Sequence, residues 1–219
     1  MDEINKTFEA VLRNDETGVY LTDGELMMRG DFTDMIPRLK PQNLNGELIV
    51  KAAKLKNFEG TPILLDATAG MGEDSLLLAA SGFNVKLYEY DPVIAALLRD
   101  SLRLAADVPE LCDAVSRMEL YEEDSIKAMK DLKYVPDVIL LDPMFPKRQK
   151  SGLIKKKFQL LQQLEKPCSD ETGLFSAASG LHPKKIVVKR PLKGPFLADK
   201  KPSYSLKGKA IRYDCYLLP

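Results

Sequence analysis

The sequence predicts an α/β fold: a doubly wound, mostly parallel sheet with an antiparallel C-terminal edge strand and a small N-terminal β-hairpin element. Three observations carry this prediction. Short apolar runs, among them Ile63-Leu64-Leu65, Val138-Ile139-Leu140-Leu141 and Ile186-Val187-Val188, alternate with segments of helical spacing. Such runs suit strands covered on both faces. The first run opens onto a glycine turn, Ala69-Gly70-Met71-Gly72, and the last stretch reads as two strands joined by Lys207-Gly208-Lys209.

Residues 1–44 form the N-terminal element, in which Gly18 to Met28 reads as two short strands turning at Asp23-Gly24. The main domain, 45–219, opens with a helix from Asn45 to Lys56, with Leu48, Ala52 and Leu55 near one face. Pro62 to Asp66 is the first strand of the sheet. A helix from Glu73 to Ala80, a strand from Asn84 to Tyr88 and a helix from Pro92 to Ala106 follow. Pro92 suits the first helical turn and Asp91 the cap before it. Met118–Tyr121 is the next strand, Ser125–Leu132 a short helix and Asp137–Leu141 the fourth strand. Leu153–Leu164 reads as a helix, Lys185–Lys189 as a strand, and Tyr204–Lys207 and Ala210–Leu217 as the closing pair.

The chain has 219 residues, 45% of them hydrophobic, enough for one sizeable core. It has no apolar run long enough to span a bilayer and no signal-like start, so a cytoplasmic location is expected. Cys112, Cys168 and Cys215 are odd in number and far apart, which predicts reduced thiols and no metal site. The single histidine, His182, excludes a His-rich metal centre or a Ser-His-Asp triad and is expected at the surface.

The net charge of zero conceals a split. Residues 1–142 carry 15 Lys/Arg against 27 Asp/Glu, whereas residues 143–219 carry 17 against 5. The basic groups begin directly after Asp142-Pro143, which points to a polyanionic substrate. Lys147, Arg148, Lys150, Lys155, Lys156, Lys157, Lys189 and Arg190 are the expected nucleic-acid contacts.

Gly70 and Gly72 allow a tight turn and close approach to a ligand. A dinucleotide fingerprint would place Gly or Ala where Ser75 stands, and a pyrophosphate at this helix start would meet Glu73 and Asp74. Two carboxylates there favour a ligand bearing a sulfonium and an α-amino group instead. Glu89, at the end of the second strand, is placed to bind both ribose hydroxyls, and Asp124-Ser125, after the third, to reach an adenine. With Asp66 and Asp142 at the ends of strands one and four, the acids converge on one crevice. The ligand this suits is S-adenosylmethionine.

The Asp142-Pro143-Met144-Phe145 turn supplies what an exocyclic amine of a base requires. Asp142 and the Pro143 carbonyl accept its two N–H bonds, and Phe145 stacks on the ring. The remaining task is in-line positioning.

Four stretches, Asp66–Asp74, Leu87–Asp100, Leu140–Lys157 and Lys184–Pro191, resemble the bacterial small-subunit ribosomal RNA guanine-N2 methyltransferases of the RsmJ type. The resemblance runs from Asp66 to Tyr216. It implies a class I methyltransferase fold, S-adenosylmethionine as donor, and N2 of a guanosine in 16S rRNA, free or in an immature small subunit, as acceptor. It also implies cofactor contacts at Glu73, Asp74, Glu89, Tyr90, Asp124, Ser125 and Asp142. Two competing readings share the same residues: amino-methylation of adenine or cytosine in RNA or DNA, and a non-catalytic RNA-binding protein that senses S-adenosylmethionine.

Overall fold

The computed structural model describes residues 10–143, 160 and 168–218. Three strands near the N-terminus, β1 (Val11–Asp15), β2 (Gly18–Thr22) and β3 (Met27–Met28), form an antiparallel sheet in that order. The hairpin expected at Asp23-Gly24 joins β2 to β3, with Leu21 opposite Met28. Strand β1 is an addition to the sequence reading. It is exposed along its length, so its residues carry no apolar alternation to announce it.

Short helices α1 (Ile36–Leu39), α2 (Pro41–Leu44) and α3 (Leu48–Ala53) lead into the main sheet. The helix expected over Asn45–Lys56 is thus confined to its middle. Glu47 and Lys54 at its two ends have ψ of 130° and 127°, outside the helical range. The buried Lys185 explains the clean stop: its Nζ donates to Ala52 O at 3.0 Å and Lys54 O at 2.6 Å. Cations at a helix C-terminus satisfy its orphan carbonyls.

The main sheet contains β4 (Ile63–Asp66), β5 (Asn84–Tyr88), β6 (Met118–Tyr121), β7 (Val138–Leu141), β8 (Lys185–Pro191), β9 (Tyr204–Lys207) and β10 (Ile211–Leu217). Their spatial order is β6-β5-β4-β7-β8-β10-β9. Strands β4 to β8 pair in parallel, and β10 runs antiparallel to both β8 and β9. The antiparallel strand therefore lies one place in from the rim, with β9 outermost.

Helices α4 (Glu73–Ala80), α5 (Pro92–Ala105), α6 (Cys112–Val115), α7 (Ser125–Asp131) and α8 (Glu171–Gly180) cover the sheet. Side chains alternate between the two faces. Leu64, Val85, Leu140 and Val187 join one core with α3 and α4, while Leu65, Tyr88, Ile139 and Val188 join a second with α7 and α8. Both faces are filled, as the continuous apolar runs require. Helix α8 is not legible in the sequence, because Gly173 and Gly180 weaken its helical signal. The helix expected over Leu153–Leu164 falls outside the described residues except for Leu160, which is helical and buried.

Asp91 caps α5 as expected, accepting from the Val93 and Ile94 N–H groups at 2.9 and 3.2 Å, with Pro92 next in line. The N-terminal sheet docks on this helix, where Asp100 Oδ2 accepts from Val19 N at 2.8 Å. Phe32, Met35 and Leu44 are buried in the same core as Leu64 and Leu76.

Candidate active site

The chain order reverses direction across the sheet beside β4, whose neighbours are β5 and β7. Ligand crevices in open α/β sheets lie outside the carboxyl ends of the strands at such a point. The glycine turn closes one side of this crevice and Asp142-Pro143 the other. Backbone bonds dock both onto the sheet: Ala67 N donates to Leu140 O and Ala69 N to Tyr88 O, each at 3.0 Å. Thr68 ties the two sides together, since its Oγ1 accepts from Asp142 N at 2.7 Å.

Gly70 and Gly72 both adopt positive φ, 54° and 76°. They serve different ends. A Cβ on Gly72 would lie 2.7 Å from Leu98 Cδ1, so this glycine lets α4 pack closely. A Cβ on Gly70 would meet nothing within 4 Å. The face over Gly70 is open to a ligand.

Asp66 has a different position from the one expected of a ligand contact. It is buried, accepts from Ser75 Oγ at 2.6 Å and from Thr68 N at 3.1 Å, and so braces the turn from beneath. Ser75 occupies the place of the third glycine because its hydroxyl completes this brace. Burial, opposed by these hydrogen bonds, pushes the Asp66 carboxyl up to about 7. Its ordinary value is 3.8, so the contribution to stability is full below that value and is lost as pH rises through about 7. Above that window the folded state holds a buried charge that the unfolded state solvates. Urea midpoints measured across this range are expected to fall with pH in the wild type, and the decline is expected to be much smaller in Asp66→Asn. Equal slopes in the two proteins would remove Asp66 as its source.

Glu89 lies at the end of β5 and is 7% exposed. Oε2 accepts from Gly70 N and Oε1 from Asp91 N, both at 2.9 Å. Each oxygen retains a second lone pair for a ligand hydroxyl. Burial raises the Glu89 carboxyl, and its backbone donors hold it down. Glu89→Ala is expected to weaken S-adenosylmethionine binding by ~1–3 kcal/mol, the cost of losing hydrogen bonds to a charged group. Titration calorimetry checks this, and an unchanged affinity would exclude Glu89 from the cofactor site. Next to it in the chain, Tyr90 is 65% exposed. Asp124 caps α7, with Oδ1 accepting from Ile126 N at 2.9 Å, and Ser125 behind it is buried. Glu73 lines a concavity with Arg29, Asp31, Phe32 and Met71, where the N-terminal sheet meets the turn.

Three further expected assignments change. Asp74 does not stand free at the helix start: its Oδ2 is 2.9 Å from Lys189 Nζ and 3.5 Å from the Tyr213 hydroxyl. Lys189 is directed inward, also 2.9 Å from Asp142 Oδ2, and is thereby removed from the expected phosphate contacts. Burial works against its charge, yet the Asp142 and Asp74 carboxylates carry Lys189 above the ordinary lysine range. Arg190 is 1% exposed and forks onto Glu171 at 2.9 and 3.0 Å, so it too is withdrawn from the basic surface. The alternation of β8 did not reveal either, because basic residues count alike in a sequence whether they face water or a carboxylate. Phe145, Lys147, Arg148, Lys150 and Lys155 to Lys157 lie outside the described residues.

Asp142 follows β7. Its side chain is 38% exposed, but burial of the carboxylate still raises it against the pull of Lys189. Pro143 is buried. The sequence reading missed Thr68 and Tyr213. Thr68 was within the quoted motif but had no distinguishing spacing. Tyr213 reaches the site only because β10 inserts beside β8.

The donor set fits S-adenosylmethionine: an open glycine face, a buried acid with spare acceptor capacity on the ribose side, and a second acid, Glu73, at the start of α4. Together with the strand order, these features define a class I S-adenosylmethionine-dependent methyltransferase. The model of a family described as "Putative SAM-dependent methyltransferase" matches residues 6–218. Ribosomal RNA small subunit methyltransferase J of Pseudoalteromonas atlantica is 43% identical over 178 residues, covering 78% of this chain and 69% of that one. Its counterpart in Aeromonas salmonicida is 43% identical over 174 residues, covering 79% and 70%, and in Pseudomonas fluorescens 43% over 174, covering 78% and 66%. The chain spans about two thirds of the length of these relatives. The crystal structure of a SAM-dependent methyltransferase from Neisseria gonorrhoeae superposes with a TM-score of 0.78 at 32% identity, covering 99% of this chain and 86% of that one. The rRNA methyltransferase AviRa from Streptomyces viridochromogenes, at 16% identity and a TM-score of 0.52 over 81% and 84% of the two chains, shares the fold. The chain belongs to the SAM-dependent methyltransferase family that includes the small-subunit methyltransferase J proteins. Among the described residues, no helix is long and apolar enough to cross a membrane.

Proposed function

We propose that the chain methylates the exocyclic N2 amine of a guanosine in small-subunit (16S) ribosomal RNA, in the cytoplasm, with free rRNA or an immature small subunit as substrate. The observation that carries this reading is Asp142, held at the end of β7 by Thr68 beside the glycine turn. The names of the relatives support the RNA substrate. When bound, S-adenosylmethionine supplies an electrophilic methyl group: the amine lone pair forms the N–C bond, the C–S pair stays on sulfur, and one N–H proton leaves to water.

The chain's own residues bind and orient the two reactants. Asp142 and the Pro143 carbonyl accept the two N–H groups of the amine and aim its nitrogen at the methyl group. Glu89 holds the ribose hydroxyls, Tyr90 covers the adenine, and Asp124 and Ser125 close its far side. Phe145 stacks on the base, and the lysines and arginine from Lys147 to Lys157 meet phosphates. Association should then weaken with salt, as phosphate contacts do.

Mass spectrometry of nucleosides from 16S rRNA tests this reading, comparing a deletion strain with and without the gene restored. N2-methylguanosine that disappears on deletion and returns on restoration is the expected result. A methyl group lost from adenosine or cytidine instead would reassign the acceptor. S-adenosylmethionine binding without transfer to any RNA would favour a sensing role.

A further inference from the structure

The bridge made by Lys189 is not used by the assignments above. Its ammonium lies 2.9 Å from a carboxylate oxygen on each side of the crevice, Asp74 from α4 and Asp142 from the end of β7. Its side chain is 27% exposed, and its pair partner across the sheet is the buried Tyr213. A surface lysine seeking phosphate would extend into water. This one is held by two acids from different elements.

We infer that Lys189 is a positioning residue for the acceptor amine: by gripping Asp74 Oδ2 and Asp142 Oδ2 together, it fixes the Asp142 carboxylate so that Oδ1 accepts an N–H of the base. The inference rests on the proposed role of Asp142. Two carboxylates at one sheet edge repel, and an ammonium with three donors can satisfy both while leaving each a free oxygen. Asp142 must also remain an acceptor, because a protonated carboxyl would turn a donor toward the amine. Burial favours the protonated form, and so does the negative charge of Asp74 from α4, while Asp66 from β4, pushed up to about 7, adds its charge only above that pH. Lys189 and Arg190 from β8 oppose it, while the Tyr213 hydroxyl from β10 touches Asp74 rather than Asp142. Lys189 thus sets both the direction and the charge of the accepting group.

The test uses the full chain as wild type, Lys189→Met and Lys189→Arg. Single-turnover transfer to 16S rRNA at saturating S-adenosylmethionine is followed across pH. Lys189→Met is expected to slow transfer on the order of 100-fold, the scale of a misplacement of about 1 Å. Its acid limb is expected to move upward by roughly 1–3 pH units, the usual effect of losing an adjacent opposite charge. Lys189→Arg restores the position of the limb and part of the rate. A readout independent of turnover is the carboxyl ¹³C titration of Asp142 in the protein alone, its signal identified by loss in Asp142→Asn. It should shift upward in Lys189→Met by the same amount as the limb. Binding of S-adenosylhomocysteine reports an intact fold. If Lys189→Met fails to bind it, Lys189→Arg still decides: an acid limb displaced upward in Lys189→Arg would overturn the inference. An active wild type together with unchanged rate, limb and titration in Lys189→Met overturns the role of Lys189 alone. A wild type that forms no N2-methylguanosine overturns the functional reading, and this inference with it.

Discussion

Arg212→Ala is expected to destabilise the protein by about 3–5 kcal/mol, the cost of leaving one member of a buried ion pair without its partner. Arg212 is 5% exposed and Asp214 fully buried, both on β10, with Nε–Oδ distances of 2.9 and 3.1 Å. The same guanidinium donates to the carbonyls of Pro191, Leu192 and Gly194 at 2.8 to 3.0 Å and of Pro195 at 3.3 Å. It therefore organises the whole loop that leaves β8 at the edge where Asp142 lies. The variant leaves the buried Asp214 without its counter-charge, though still bonded by the Ser205 hydroxyl, and frees four carbonyls at once. Against a typical total of 5–15 kcal/mol, such a loss removes much of the fold's margin. Urea unfolding measures it, and Arg212→Ala/Asp214→Ala should recover part of the loss because the unpaired charge is gone. A change under about 1 kcal/mol would show that water replaces the arginine and that the loop holds without it.

Asp142→Ala is expected to lower single-turnover methyl transfer by on the order of 100-fold. The variant removes the acceptor that directs the amine and releases Lys189 toward Asp74. Cofactor affinity should fall less than the rate, since Glu89 and the glycine turn are untouched. Asp142→Asn separates two contributions: its amide oxygen can still accept, so a rate above that of Asp142→Ala would credit geometry, and an equal rate would credit charge. Near-normal transfer by Asp142→Ala would make the Asp-Pro turn structural and displace the reacting centre elsewhere.

The sheet and its glycine turn were legible because both depend on local patterns. Buried parallel strands write themselves as unbroken runs such as Val138–Leu141, and a backbone forced to positive φ writes itself as Gly70 and Gly72. Asp91 was legible as the cap of its helix, whereas Asp124, read as reaching an adenine, also caps α7, which its sequence position had not announced. What stayed hidden was partnership across distance. Asp66 looked like a ligand contact but braces Ser75. Lys185, Lys189, Arg190 and Arg212 added to a basic segment while each is buried or paired within the fold. Charge totals register composition, and only packing decides which charges water sees. Exposed β1 and glycine-weakened α8 escaped for the opposite reason, since neither has a strong pattern of its own.

The insertion of β10 between β8 and β9 bears on how the enzyme comes into being. β10 follows both of its neighbours in the chain yet lies between them in the sheet, and it brings Tyr213 and Arg212 to the edge where Asp142 lies. During synthesis, β8 must wait as an open rim, with Asp74 and Lys189 lacking one wall of their surroundings. Until residues 211–217 emerge from the ribosome, the nascent polypeptide has a sticky margin and no finished crevice. Completion of the crevice thereby waits for a strand that follows both β8 and β9 in the chain.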